Sequence, residues 1–166
     1  MTGLKTLYDE DFVAWSQQQV GALRAPGRRG SNQLLDWENL AGEIEGLGIS
    51  QKSALASQIK RIIRHLLKLQ HSPSRNPRRG WENSIIDARD EIEDLLDRSP
   101  SLRRDISAEI ARQAPRAARL AIRDLGKRAE GDPAIAGRIR GTTYTSDQVL
   151  GDWFPENSNR PQGEAQ

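Results

Sequence analysis

The chain has 166 residues, no cysteine, 29% charged residues and a net charge of +2, which excludes disulfide bonds and cysteine-ligated zinc. No uncharged apolar run approaches the ~20 residues needed to span a bilayer, and the amino terminus lacks the apolar core of a signal peptide. We therefore expect a soluble, cytoplasmic protein with one domain over residues 1–156 and a disordered tail over residues 157–166.

The first predicted helix covers residues 9–24 and begins with acidic residues, which the helix dipole favours in a first turn. One side of this helix is expected to pack against the rest of the domain through Phe12, Trp15, Gln19 and Leu23. Residues 25–32 concentrate proline, glycine, serine and asparagine, and they therefore predict a loop.

The second predicted helix covers residues 36–47 and has Asp36 as its N-cap. Gly48 is expected to take the left-handed conformation that ends a helix. The apolar residues of this segment recur every three or four positions, as Trp37, Leu40, Ile44 and Leu47.

The third predicted helix runs from a cap at Ser50 to about Gln70 and is the clearest amphipathic segment of the chain. The side opposite its apolar stripe carries Lys60, Arg64 and Lys68. The stripe itself comprises Leu55, Ile59, Ile62, Leu66 and Leu69, and it is widened by Ile63 and Leu67.

A loop over residues 72–79 leads to the fourth predicted helix, which covers residues 81–98. Ile86 lies roughly opposite its apolar stripe and predicts a second contact surface, for another helix or for a second protomer in a homo-oligomer. The stripe comprises Trp81, Ile85, Ala88, Ile92 and Leu95.

The fifth predicted helix begins with a cap at Ser99 and a proline in its first turn, and it ends at Gly126. Pro115 lies inside this helix, on the side away from the apolar stripe, and predicts a kink or a break into two helices. The stripe comprises Leu102, Ile106, Ile110, Ala117 and Ala121.

The segment over residues 127–141 is rich in glycine and is expected to be irregular and mobile. Thr145 and Gln148 have the spacing of a capping box, which predicts a short helix through Leu150. The large apolar residues at 153–155 are expected to dock back on the domain as a hook. The chain as a whole predicts an all-α fold, a helical bundle of about five main helices with antiparallel neighbours and a short C-terminal helix.

Five blocks of this sequence, taken in order, resemble the bacterial Domain of Unknown Function 29 family. They are YDEDFVAWSQQQVGALR (8–24), LDWENLAGEIEGLG (35–48), SQKSALASQIKRIIRHLLKLQ (50–70), EIEDLLDRSPSLR (91–103) and YTSDQVLGDWFP (144–155). The resemblance covers about residues 7–155 and implies an all-α fold. It implies no activity.

Basic residues dominate the third helix and the loop after it, because residues 46–81 contain eight lysines and arginines and no acidic residue. Residues 82–97 contain seven acidic residues and one arginine, so the two helices are expected to pair across an antiparallel contact. A phosphate backbone or an acidic protein is the alternative partner of this basic segment. The candidate binding residues are Lys60, Arg61, Arg64, Lys68, Arg75, Arg78 and Arg79.

The acidic residues and the two histidines were weighed as candidates for chemistry. Asp36, Glu38, Glu43 and Glu45 would need acidic partners such as Asp90, Glu91 and Asp94 to hold Mg²⁺ or Mn²⁺. The Glu-x-x-His pairs of bundle metal sites are missing. His65 and His71 are six residues apart and point in different directions on one helix, which favours a packing role for His65.

These observations favour a non-enzymatic module that binds another protein, with no cofactor, no metal and no membrane partner. Two alternatives stay open at this point. One is a nucleic-acid-binding protein that uses the basic segment 60–79, and the other is a helical nucleotide hydrolase that depends on Mg²⁺ or Mn²⁺.

Overall fold

The computed structural model describes residues 3–25, 37–128 and 130–156 of the chain. Every regular element within these ranges is a helix, which confirms the all-α prediction with its short C-terminal helix. The helices are α1 (Gly3–Glu10), α2 (Phe12–Arg24), α3 (Trp37–His71), α4 (Arg78–Arg98), α5 (Ile106–Gly126), α6 (Pro133–Gly141) and α7 (Ser146–Leu150), with a 3-10 helix (Pro100–Asp105) before α5. The predicted cap at Asp36, most of the predicted loop 25–32 and the predicted tail 157–166 lie outside the described residues.

Contacts divide the chain into two compact units. Unit 1 comprises Met1–Leu55 and Glu93–Asp105, and unit 2 comprises Ala56–Ile92 and Ile106–Gln166. Both α3 and α4 therefore contribute residues to each unit. That residues 1–156 form a single domain stays a prediction.

The predicted first helix is two helices in the structure, and Asp11 separates them. Its backbone is extended (φ −155°, ψ 92°) and its side chain accepts a hydrogen bond from the Ala14 amide at 2.9 Å, so it is the N-cap of α2. The same carboxylate accepts hydrogen bonds from the amide and the hydroxyl of Ser101, at 2.5 and 2.9 Å. The acidic residues that were expected to open one helix instead end one helix and cap the next.

The predicted break at Gly48 is wrong, because α3 continues through it from Trp37 to His71. Gly48 is buried, and a Cβ at this position would lie 2.6 Å from the Ser16 hydroxyl of α2. That hydroxyl donates to the Val13 carbonyl at 2.9 Å. Gly48 is therefore the residue that lets α2 approach α3 closely, and it remains in helical conformation.

The apolar stripe predicted for residues 37–47 is only partly covered, because Trp37 and Ile44 are half-buried and its two leucines are exposed. Leu40 is 42% exposed and Leu47 51% exposed, whereas Ala41 is fully buried. The buried residues of this part of α3 are the small ones, Ala41 and Gly48. Their small size lets a neighbouring segment of the protein pack close to the axis of α3. The two leucines are left at one edge of the contact.

The predicted stripe in the second half of α3 is confirmed, since all seven of its residues are buried. In unit 2 this half of α3 packs antiparallel to α4. Gln58 hydrogen-bonds Glu91, Arg61 bonds Ser84, and Arg78 donates to the Leu69 carbonyl. Residue numbers rise along one helix as they fall along the other, which confirms the predicted antiparallel pair.

The start of the fifth helix differs from its prediction. The chain forms a 3-10 helix over Pro100–Asp105 before α5 begins. The buried Ser99 hydroxyl accepts a hydrogen bond from the Val13 amide of α2 at 3.3 Å, so it does not cap the helix that follows it. All five residues of the predicted stripe are buried. Pro115 lies on the exposed side of α5, as expected, and the helix continues through it, so the predicted break is absent.

The expectation that residues 127–141 are irregular is wrong, because Pro133–Gly141 forms α6. Asp132 caps this helix by accepting from the Ala134 amide at 2.8 Å, and Pro133 occupies its first position. The predicted capping box of α7 is confirmed, with both reciprocal bonds between Thr145 and Gln148.

The predicted C-terminal hook is docked mainly by Arg89 of α4. Its guanidinium donates to the carbonyls of Gln148, Val149 and Trp153 at 2.8–3.0 Å and lies 4.9 Å from the centre of the Phe154 ring. Trp153 itself remains 38% exposed. Backbone hydrogen bonds to one arginine therefore hold this segment more than burial of its indole does.

Candidate interaction surfaces

Arg61, one of the predicted basic residues of α3, faces α4. Its Nε donates to the Ser84 hydroxyl at 3.0 Å, and its other nitrogens lie 4.0 Å from Asp87 and 3.7 Å from Glu91. These carboxylates belong to the acidic face of α4, so the predicted pairing of the third and fourth helices is confirmed at Arg61. The pairs are more than one-third exposed and contribute at most about 1 kcal/mol each.

Arg64 and Lys68 pair with α5 and not with α4. Arg64 donates two hydrogen bonds of 2.7 Å to the Asp124 carboxylate, and the Lys68 ammonium lies 3.4 Å from the same group. Lys68 is only 6% exposed and sits over the Trp81 ring at 4.9 Å. For these two cations the expected partner, the acidic fourth helix, is therefore wrong, and the partner is Asp124 of α5.

This ionic cluster shifts the pKa of two of its members. Burial disfavours ionisation of Asp124, but the hydrogen bonds from Arg64 and the charge of Lys68 outweigh it and hold the Asp124 pKa below its ordinary value. Burial lowers the pKa of Lys68, which Asp124 partly opposes. Through these contacts Asp124 links α5 to two cations of α3.

The other predicted binding residues divide into internal and exposed ones. Arg78 donates to the Leu69 carbonyl at 2.7 Å, and Lys60 is half-buried. Arg75 and Arg79 are exposed. Three of the seven predicted residues (Arg61, Arg64 and Lys68) thus pair with carboxylates of this same chain, and Arg78 binds a backbone carbonyl.

The two histidines lie in different surroundings and do not face a common ligand. Burial, followed by the charges of Lys68 and Arg64, lowers the pKa of His65 to about 3. The His71 Nε2 lies 2.9 Å from the Thr142 hydroxyl, and burial lowers its pKa as well. Both imidazoles are neutral at physiological pH, in agreement with the packing role expected for His65.

The acidic residues considered as metal ligands do not converge in the described part of the chain, where no group of three or more histidine, aspartate or glutamate side chains is placed to hold an ion. Glu38 and Glu45 lie 3.5 and 3.0 Å from Arg24. Glu91 is engaged by Gln58 and Arg61. Asp36 lies outside the described residues.

Unit 1 carries an apolar surface that the sequence did not single out. Leu40, Leu47 and Gln51 lie seven and four residues apart on α3 and therefore share one side of the helix. Gln51 also lines a groove of about 290 Å³ with Tyr8, Asp9, Phe12 and Arg98. Tyr8 is 50% exposed, and its ring packs edge-on against Trp15 at 4.8 Å. We call Leu40, Leu47, Gln51, Tyr8 and Phe12 the apolar flank.

The amide of Gln51 gives the apolar flank an unused polar group. Its Oε1 is buried and has no hydrogen-bond partner among the described residues. A buried acceptor without a donor is costly, at about 1–3 kcal/mol.

Ile86 of unit 2 is 46% exposed, as its position opposite the α4 stripe predicted. Acidic residues surround it in sequence and on the helix face, at Glu82, Asp87 and Asp90. A homo-oligomer formed through Ile86 stays a prediction.

Sequence reasoning also missed a row of arginines on α5, at Arg112, Arg116, Arg119 and Arg123. Their 4-3-4 spacing was available as a signal, because it places all four on one side of a helix.

The comparisons with known proteins give a family and no activity. The family model described as "Domain of unknown function DUF29" matches residues 7–154. No curated protein and no solved structure matches the chain. Within the described residues, no helix is long and apolar enough to cross a membrane.

Proposed function

Because the chain belongs to the DUF29 family, a domain of unknown function, we propose from its surfaces that it is a non-enzymatic protein-interaction module. The apolar flank of unit 1 is its docking surface. The observation that carries this proposal is the exposure of Leu40 and Leu47, which share one side of α3 with Gln51, a residue that lines the groove beside Tyr8.

The shape of the flank fits a partner helix. From Leu40 to Gln51 the axis of α3 rises about 16 Å, which is about three helical turns. Exposed apolar residues at this spacing are typical of surfaces that receive the apolar face of an amphipathic helix.

Charge favours a basic partner over a second copy of this chain. Unit 1 as a whole has 11 acidic and 8 basic residues, a net charge of −3. Residues 37–49 contain no lysine or arginine and three glutamates, of which Glu38 and Glu45 pair with Arg24. The third, Glu43, lies three residues after Leu40 and four before Leu47, beside the flank. Two identical flanks would bring like charges together, which costs association energy. We therefore assign the surface to an amphipathic helix of another protein, with lysines or arginines beside its apolar face.

The two alternatives receive less support from the same geometry. Nucleic-acid binding through residues 60–79 would have to rely on Arg75, Arg79 and Lys60, since the other four cations are engaged internally. A metal-dependent hydrolase has no cluster of ligands in the described part of the chain.

Peptide binding tests the proposal with a defined probe. A fluorescent amphipathic helix of leucine and lysine is titrated with the full chain, and a twin peptide with glutamate in place of lysine is the charge control. We expect the lysine peptide to bind at least about tenfold more tightly than its twin, because opposite charges face each other.

Two matched variants locate the surface. Leu40→Ser with Leu47→Ser is expected to weaken binding of the lysine peptide by at least about tenfold, the effect of losing interface anchors. Ile86→Ser, at an equally exposed isoleucine of unit 2, is expected to leave it unchanged. Equal binding of both peptides, or loss of binding only in Ile86→Ser, contradicts the proposal. If sedimentation velocity shows a dimer and Leu47→Ser dissociates it, the occupant of the flank is a second copy of this chain and not a helix of another protein.

A further inference from the structure

The arginine row of α5 is the most strongly charged exposed feature of unit 2. Arg112, Arg116, Arg119 and Arg123 fall within about 60° of arc on the helix, and all four are exposed. Unit 2 has 17 basic and 12 acidic residues, a net charge of +5. The row therefore lies on the basic part of the molecule.

Most of this charge is not used within the chain. Arg112 pairs with Glu109 at 2.5 Å, and its side chain is still 63% exposed. Glu109 is buried and also accepts a hydrogen bond from Gln113 at 2.7 Å. Across the described residues, Arg116, Arg119 and Arg123 form no ion pair, in contrast to Arg61, Arg64 and Lys68 of α3.

The chemistry of the row selects a polyanion. Each guanidinium presents a planar set of donors that matches a phosphate or a carboxylate. The row spans about 16 Å along the axis of α5. Each strand of a nucleic-acid duplex carries one phosphate for about every 3.4 Å of the duplex axis. Several phosphates of one strand thus come within reach of the four side chains together.

The residues around the row disfavour other anionic partners. No large apolar side chain of α5 is exposed, and its apolar face is buried through Ile110, Ala117 and Leu125. A helix without an exposed apolar face cannot insert into a lipid interface, and a protein interface would lack the buried anchor that carries most binding energy. Single strands are held by stacking on aromatic rings, and this face has none.

We infer that the arginine row of α5 binds the phosphate backbone of duplex nucleic acid, whatever the base sequence of the duplex. The surface is separate from the apolar flank in residues and in charge. It also differs from the basic segment 60–79, which the sequence alone had suggested for the same class of ligand.

The salt dependence of binding to a fluorescent mixed-sequence DNA duplex tests this inference. Four phosphate contacts predict a slope of about −3.6 for log K against log salt, so that affinity falls about 100-fold between about 50 and 200 mM. Arg116→Gln with Arg119→Gln is expected to bind at least about tenfold more weakly at low salt and to reduce the slope to about −1.8.

A matched control variant shows whether the loss of affinity depends on the arginine row or only on the total charge. Arg103→Gln with Arg104→Gln removes the same charge from two exposed arginines of the 3-10 helix, and it should change affinity less than twofold or so, since these residues lie outside the row. Circular dichroism of each variant establishes that the helices are retained.

Several outcomes would overturn the inference. One is that the wild type does not bind the duplex at low salt. Another is that the Arg103, Arg104 variant loses as much affinity as the Arg116, Arg119 variant. A third is that affinity falls only in Arg75→Gln with Arg79→Gln. Tighter binding of single-stranded than of duplex DNA, or equal binding of vesicles of anionic lipid, would also overturn it.

Discussion

The two halves of α3 belong to one continuous helix, yet they differ in how many of their sides are covered. In the first half, Ala41 and Gly48 are buried while Leu40, Leu47 and Ile49 are each more than 40% exposed. In the second half nine residues are buried, including Lys68 and His71. Both halves have apolar residues every three or four positions, so regular spacing predicts the helix but not the extent of its burial.

The largest expected effect contrasts a leucine from each half. Leu66 is fully buried, and Leu66→Ala should lower the free energy of unfolding by about 2–5 kcal/mol, because it removes buried methyl groups and leaves a cavity. Leu47→Ala should change it by less than about 0.5 kcal/mol, since half of that side chain is already in water. Urea denaturation followed by circular dichroism measures both. Similar losses in the two variants would abolish the contrast.

The next largest effect is expected at the ionic cluster that Arg64 and Lys68, in the second half of α3, form with Asp124. Asp124→Asn should cost about 1.5–3 kcal/mol at neutral pH, because Arg64 and Lys68 lose a charged acceptor. Leu47→Ser, which touches no charge, is a control from the first half. Unfolding in urea at neutral pH gives the difference between variant and wild type.

The pH dependence of that difference has a definite sign. The Asp124 pKa is lower in the folded chain than its ordinary value of 3.8, so its stabilisation is fully present above about pH 4 and is lost as pH falls through the folded pKa. Wild type and Asp124→Asn should therefore converge in stability at low pH. A difference that stays constant down to the acid limit would show that the carboxylate charge contributes nothing.

The smallest effect separates two glycines in the first half of α3. A Cβ at position 48 meets the Ser16 hydroxyl at 2.6 Å, whereas a Cβ at position 46 has no atom within 4 Å. Gly48→Ala should cost a net ~1 kcal/mol, since overpacking outweighs the gain in helix propensity, and Gly46→Ala should add about 0.5–1 kcal/mol. Thermal melts of the two variants should shift in opposite directions. A gain in both would mean that α2 does not approach α3 closely.

Much of the fold could be predicted from local patterns. The stripe from Leu55 to Leu69, the end of α5 at Gly126 and the capping box at Thr145 all depend on residues close in sequence, and all are confirmed. The helix at Pro133–Gly141 was missed although Asp132 and Pro133 form a cap that is readable from sequence. The glycines of residues 127–141 predict an irregular segment, whereas the Asp132–Pro133 cap predicts a helix, and the cap is the better guide.

The candidate surfaces were predicted less well, because a charge count does not show which charges are paired. Arg64 and Lys68 looked available until α5 placed Asp124 beside them, 60 and 56 positions further along the chain. The arginines of α5 share one helix face by their 4-3-4 spacing, but their exposure and the lack of ion pairs at Arg116, Arg119 and Arg123 within the described residues depend on which helices pack around α5.

The sequence by itself determined where most helices form and which side of α4, of α5 and of the later part of α3 is apolar, because backbone hydrogen bonds and side-chain periodicity are local. Tertiary structure decided that Gly48 lies inside a helix, that the leucines at 40 and 47 stay exposed, and which cations are neutralised. These outcomes depend on groups brought together from distant positions, and the free energy of burying or pairing a side chain is set by those neighbours.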